Sequence, residues 1–228
     1  MNSQIPTTHS RMFPRIGGLG IVFSVLVVGV FALTGNQPGT GASGAAVITY
    51  YHSHRVAETA AVFTVAVAAI VFTFFLSALR RRLGLTAEGR QLSAIVTAGG
   101  AVYTGGLLLM GVLTTALVDV AHYRMAGAAQ PLNVLSSDDW VPVVAGLSMV
   151  TLGTGIAALR SGALPRWLAW ASIGLGVLAV AGPLGAAAFL ITPVWTLVVG
   201  IVLFRSPAID PHEATVASAS ASLSRANS

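Results

Sequence analysis

The chain has 228 residues, 55% of them hydrophobic and only 8% charged, with a mean hydropathy of +0.82. A soluble domain carries about 25% charged residues, so this composition argues against a water-soluble globule and for a polytopic membrane protein. Cysteine is absent, which excludes disulfides, thiolate metal sites, thiol nucleophiles, attached haem of the c type and a lipoprotein anchor.

A membrane helix needs about 20 mostly apolar residues. Taken in chain order, six stretches meet or approach that: 16–34, 59–79, 92–118, 140–159, 167–181 and 184–204. The expected fold is therefore all-α, a six-transmembrane-helix bundle. Residues 1–15 read as a cytoplasmic N-terminal tail, 16–205 as the membrane domain and 206–228 as a disordered, Ala- and Ser-rich cytoplasmic tail. Arg11 and Arg15 before the first apolar run also suit a signal peptide. That run is longer than an ordinary signal core of about 7–15 residues, which favours a retained span.

All twelve basic residues are arginine. On the six-span map ten fall on one side, including Arg80, Arg81, Arg82, Arg90, Arg160, Arg166 and Arg205; Arg55 and Arg124 fall on the other. Positive residues are retained inside, so both termini are expected in the cytoplasm of a cell-membrane protein. The net charge of +5 then reports topology and attraction to anionic lipid, and no nucleic-acid partner is needed.

The outer loops follow from composition. Residues 35–44 are Gly-rich and flexible, whereas 45–51 are apolar and aromatic and are expected to form a short helix on the outer surface. Residues 119–139 read as a polar loop ending in Ser136-Ser137-Asp138-Asp139, where an Asp is placed to cap the fourth span. Pro183 should end the fifth span and Pro193 kink the sixth.

Chemistry-bearing residues gather at the outer boundary. His54 and Glu58 are four apart at the entry to the second span, and Asp119 and His122 three apart at the exit of the third. Each pair shares a helix face, and antiparallel packing would bring the pairs together. Two His and two carboxylates could hold Zn²⁺ or another divalent cation. The plainer reading is helix-end ion pairs, His54 with Glu58 and Arg124 with Asp119, worth about 0–1 kcal/mol when exposed. Gly99, Gly100, Gly105 and Gly106 in the third span read as packing positions, with a substrate path past Thr104, Thr114 and Thr115 as the sharper alternative. No span, so bounded, contains Asp, Glu, Lys, Arg or His, which weighs against ion-coupled transport, haem ligation and intramembrane proteolysis.

Four segments carry a family resemblance. They are Arg-Ile-Gly-Gly-Leu from Arg15, Tyr-Tyr-His-Ser-His-Arg from Tyr50, Ala-Leu-Arg-Arg-Arg-Leu from Ala78 and Ala-Leu-Arg-Ser-Gly-Ala-Leu-Pro-Arg-Trp-Leu-Ala-Trp from Ala158. Over residues 11–205 the chain resembles the bacterial integral membrane family catalogued as domain of unknown function 4386 and its actinobacterial-type relatives. The resemblance implies six spans but supplies no activity and no site residues. The leading expectation is a non-enzymatic accessory protein binding membrane lipid, a protein partner or a second copy of itself. A small uncoupled transporter or channel, with a cavity lined by Gly and Thr of the third span near Pro193, is one alternative. An outer-face metal-dependent enzyme using His54, Glu58, Asp119 and His122 is the other.

Overall fold

The structure is a computed structural model describing residues 18–84 and 86–205. Both tails and the Arg11 and Arg15 positions lie outside the described residues. Among the described residues there are eight α-helices, one 3-10 turn and no strand. The helices are α1 (Leu19–Thr34), α2 (Gly44–Ser53), α3 (Arg55–Leu83), α4 (Ala87–His122), α5 (Ala126–Ser137), α6 (Trp140–Ser161), α7 (Arg166–Ala179) and α8 (Gly185–Arg205). The 3-10 turn Gly182–Leu184 links α7 to α8.

Four helical stretches are long and apolar enough to cross a membrane: α3, α4, the α5–α6 stretch and α8. The apolar helices α1 and α7 are shorter, at 16 and 14 residues. Helix ends obey local chemistry. Ser43 Oγ accepts the Ala46 N–H at 3.3 Å to cap α2, and Thr86 Oγ1 accepts the Gly89 N–H at 3.0 Å to cap α4. Gly162 closes α6 in a left-handed conformation (φ 66°), which a side chain would strain.

The six longer apolar helices pack in a ring: α1 on α3, α3 on α4, α4 on α6, α6 on α7, α7 on α8, and α8 back on α1. The α4–α6 pair is the most extensive of these. Its cause is glycine. Gly99 and Gly106 on α4, and Gly146 and Gly153 on α6, are each seven residues apart and so share a face. A Cβ on Gly146 would stand 2.6 Å from Tyr103 Cα; one on Gly106 would stand 2.9 Å from Val143 N. Gly20 performs the same task between α1 and α8, where a Cβ would meet Thr196 O at 2.6 Å. Beside it Ser24 Oγ lies 2.7 Å from Pro193 O and 2.8 Å from Thr196 Oγ1. Trp195 Nε1–H donates to Ser172 Oγ at 2.9 Å, tying α8 to α7, and Ser148 Oγ–H donates to Gly176 O at 2.8 Å, tying α6 to α7.

The ring places Arg80–Arg82, Arg90, Arg160, Arg166 and Arg205 at one end and Arg55 and Arg124 at the other. Arg82 Nε–H reaches Ala163 O, 3.4 Å away, joining the α3 end to the α6–α7 turn. The opposite end carries α2 and α5. The short helix expected at 45–51 is there. The polar loop expected at 119–139 is corrected: most of it is helix α5, which runs through Pro131. Val47 and Tyr51 of α2, Leu117, Val118 and Ala121 of α4 and Ala129 of α5 form a second small core over that end. Asn133 Nδ2–H donates to Gly39 O at 3.0 Å and ties α5 to the first loop.

Gly146→Ala is expected to destabilise the detergent-solubilised protein by about 1–3 kcal/mol, the range for overpacking. Gly105, whose Cβ would meet nothing within 4 Å, is the control: Gly105→Ala should leave the unfolding midpoint unchanged or raise it. Equal losses for the two variants would refute the close-approach account.

Candidate functional site

A cavity of about 370 Å³ lies between α1, α3 and α4 at the end covered by α2 and α5. That volume is ordinary for a small-molecule pocket, which spans about 300–1,000 Å³. Its walls are Val27, Val30 and Phe31 of α1, Ala61, Val65 and Ala68 of α3, and Leu107, Met110 and Gly111 of α4, with Phe189 of α8. From Glu58 to Ala68 it follows α3 for ten residues, or about 15 Å at 1.5 Å per residue. One turn beyond Val27, Ala68 and Leu107, the buried rings of Phe23, Phe72 and Tyr103 pack together. Phe72 lies 4.8 Å from Phe23 and 4.7 Å from Tyr103, ring centre to ring centre.

The mouth is polar. Thr34, Asn36 and Gln37 line it from the loop after α1, Glu58 from α3, and Ser136 and Asp139 from the α5–α6 junction. Glu58 has no solvent exposure and Asp139 only 8%. Tyr50 holds Glu58 in place. Its phenol proton is shared between Thr34 O and Glu58 Oε1, the latter 2.9 Å away. Gln37 Nε2–H approaches both Glu58 oxygens at 3.4 Å. Ser136 Oγ–H reaches Asp139 Oδ2 at 3.5 Å. Asp139 stands at the N-cap position of α6 but makes no capping bond; its side chain faces the cavity instead.

The four residues read as a metal set are not brought together. Glu58 is buried and turned to the cavity. His54 is exposed, stacked on Tyr50 at 4.3 Å, with Nδ1 2.9 Å from Tyr50 O and 3.0 Å from Ser53 Oγ. Asp119 is exposed, and His122 Nδ1 lies 3.3 Å from Arg55 NH1. Among the described residues no three or more His, Asp or Glu side chains are grouped closely enough to hold a metal ion. Of the expected pairs, His54 reaches Glu58 only as a nearby charge, its ring nitrogen lying against Tyr50 O and Ser53 Oγ.

The cavity matches the sequence expectation only in part. Gly111 and Thr114 of the third span line it, but Gly99, Gly100 and Gly106 are spent on helix packing, and Pro193 is packed against α1 through Ser24. In the sequence Asp139 reads as a cap or as an added member of the outer acid and histidine cluster, and Gln37 as part of a flexible loop. Glu58 falls inside α3 rather than before it, because the helix starts at Arg55.

The tyrosines give a pH signature. Burial first, then the hydrogen bond and negative charge of Glu58, push the Tyr50 phenol up. Burial, then Glu58, Tyr50 and Asp139, do the same for Tyr51. A phenol raised in the folded state favours folding only while unfolded tyrosine is also protonated. Stability should therefore be full below about pH 10, the ordinary phenol value, and fall as pH climbs past it. The melting temperature should drop less steeply above that point in a Tyr50→Phe/Tyr51→Phe variant than in the parent; parallel curves would refute the assignment. No family model matches the chain, and no curated protein and no solved structure matches it.

Proposed function

We propose that this chain is a six-span protein of the cell membrane, non-enzymatic, that binds an amphiphilic molecule drawn from the bilayer. The observation that carries the reading is the cavity's lining, aliphatic along α1, α3 and α4 and carrying carboxyl, amide and hydroxyl groups at the end under α2 and α5. That polarity gradient matches a tail and a headgroup. Spans one and five are α1 and α7, about 24 and 21 Å long at 1.5 Å per residue, and lipid accommodates such short helices by local thinning and by snorkelling of flanking side chains. Closure of the ring by α1 on α8 supports counting α1 as a span. The arginine-rich end faces the cytoplasm and the cavity mouth the opposite side. The same six spans follow from the family resemblance.

A through-channel is the weaker reading, because Phe23, Phe72 and Tyr103 block the way to the other end. Among the described residues an enzymatic metal centre has no grouped ligand set to rest on.

Two measurements test the proposal. The chain has no cysteine, so single cysteines report topology directly. An impermeant maleimide applied to intact cells should label Thr40→Cys and spare Arg160→Cys; the reverse pattern overturns the orientation. Val65→Trp should fill the cavity and remove amphiphile that co-purifies in mild detergent, as counted by native mass spectrometry. Unchanged occupancy in a folded variant overturns the binding site.

A further inference from the structure

The walls and the mouth of the cavity divide the problem of selectivity. Hydrocarbon tails in a bilayer are as apolar as the Val, Ala and Leu side chains that line the cavity. Moving a tail from lipid into the cavity therefore gains little, and whatever distinguishes one amphiphile from another must come from the headgroup. At the mouth the two ionisable groups among the described lining residues are both acids, Glu58 and Asp139, and both are more than nine-tenths buried. Among the described residues the one basic side chain that acts on Glu58 is His54, which lies outside the cavity lining, and the groups that act on Asp139 are Ser136 and Asp138. A buried carboxylate is costly unless it is paired, and otherwise tends toward its neutral form; burial pushes both groups up, and the bonds they receive are few: Tyr50 and two long contacts from Gln37 for Glu58, Ser136 for Asp139.

Two further features point to the sign of the missing partner. Glu58 occupies the first turn of α3 and Asp139 the N-cap position of α6; at both places the helix dipole favours negative charge. The cavity also presents the rings of Phe31 and Phe189, edge to face at 5.7 Å. Aromatic faces attract ammonium groups, more so when the pair is desolvated.

We propose that the cavity selects single-chain amphiphiles bearing a protonated amine headgroup, with the ammonium seated at Glu58 and Asp139 and the tail running along α3 toward Phe72. This rests on the amphiphile reading above and adds the charge of the ligand to it.

The full chain in nanodiscs of zwitterionic lipid is titrated with dodecylamine, dodecanol and dodecanoate, which share a tail and differ in charge. Bound copies are counted by native mass spectrometry, with empty nanodiscs as the partition control. Dodecylamine should bind about tenfold or more tightly than dodecanol, the ratio expected of a charge-assisted hydrogen bond, and dodecanoate should bind least. Glu58→Gln and Asp139→Asn should each reduce the preference for the amine while leaving dodecanol binding in place. Asp139→Asn, at a helix end, keeps the test open if Glu58→Gln does not fold. Equal binding of amine and alcohol, or a preference that survives both substitutions, overturns the charge selection and leaves the amphiphile site standing. Binding of none of the three, or binding undiminished in Val65→Trp, overturns the site itself.

Discussion

Lipid gives an apolar helix no incentive to hide its side chains, so a bundle must be held by close packing and by polar contacts between helices. Here the close packing is supplied by glycines with seven-residue spacing on α4 and α6, which let the two backbones touch. That single approach fixes the position of α4. Packed on α6 and α3, α4 reaches α1 through the Phe23–Tyr103 ring contact, and beyond that contact the cavity lies between α1, α3 and α4. The Ser24–Thr196–Pro193 contact holds α1 to α8 on the other side and keeps α1 from closing it.

The acids at the mouth depend on a second layer of structure. In a bare bundle, residues such as Glu58 and Asp139 would stand at the water boundary. The cap of α2 and α5, packed on the end of α4 through Val47, Tyr51, Leu117 and Ala129, covers that boundary. Tyr50 then reaches Glu58 from α2, and the α5–α6 junction carries Asp139 inward. A cap that exists for packing thus converts two boundary acids into lining groups of a half-apolar pocket.

Much of the bundle is legible in the sequence. Apolar runs mark each long apolar helix to within a few residues, arginines gather at one end, and Gly99, Gly100 and Gly106 read correctly as packing sites, whereas Gly105, read the same way, faces open space. The site was less legible. Glu58 looked like a boundary residue because the second span was started at Thr59. Yet Glu58 stands in phase with Ala61, Val65, Ala68 and Phe72, at alternating steps of three and four along one face. That phase places it toward the interior, and it was the available signal. Helix α5 was obscured by Pro131 and by polar Gln130, Asn133 and Ser136, although Ala126, Ala128 and Ala129 favour helix. Without α5, nothing in the sequence covers Asp139. The space between α1 and α4 is a product of tertiary packing, and no local pattern announces it.

The aromatic cluster at mid-depth has a kinetic corollary. If those rings seal the base of the proposed site, an occupant must leave by the way it entered, past Gln37, Glu58 and Asp139. A gradient across the bilayer could then not drag it through, and the proposed site would act as a store or reporter of one leaflet rather than as a conduit between compartments.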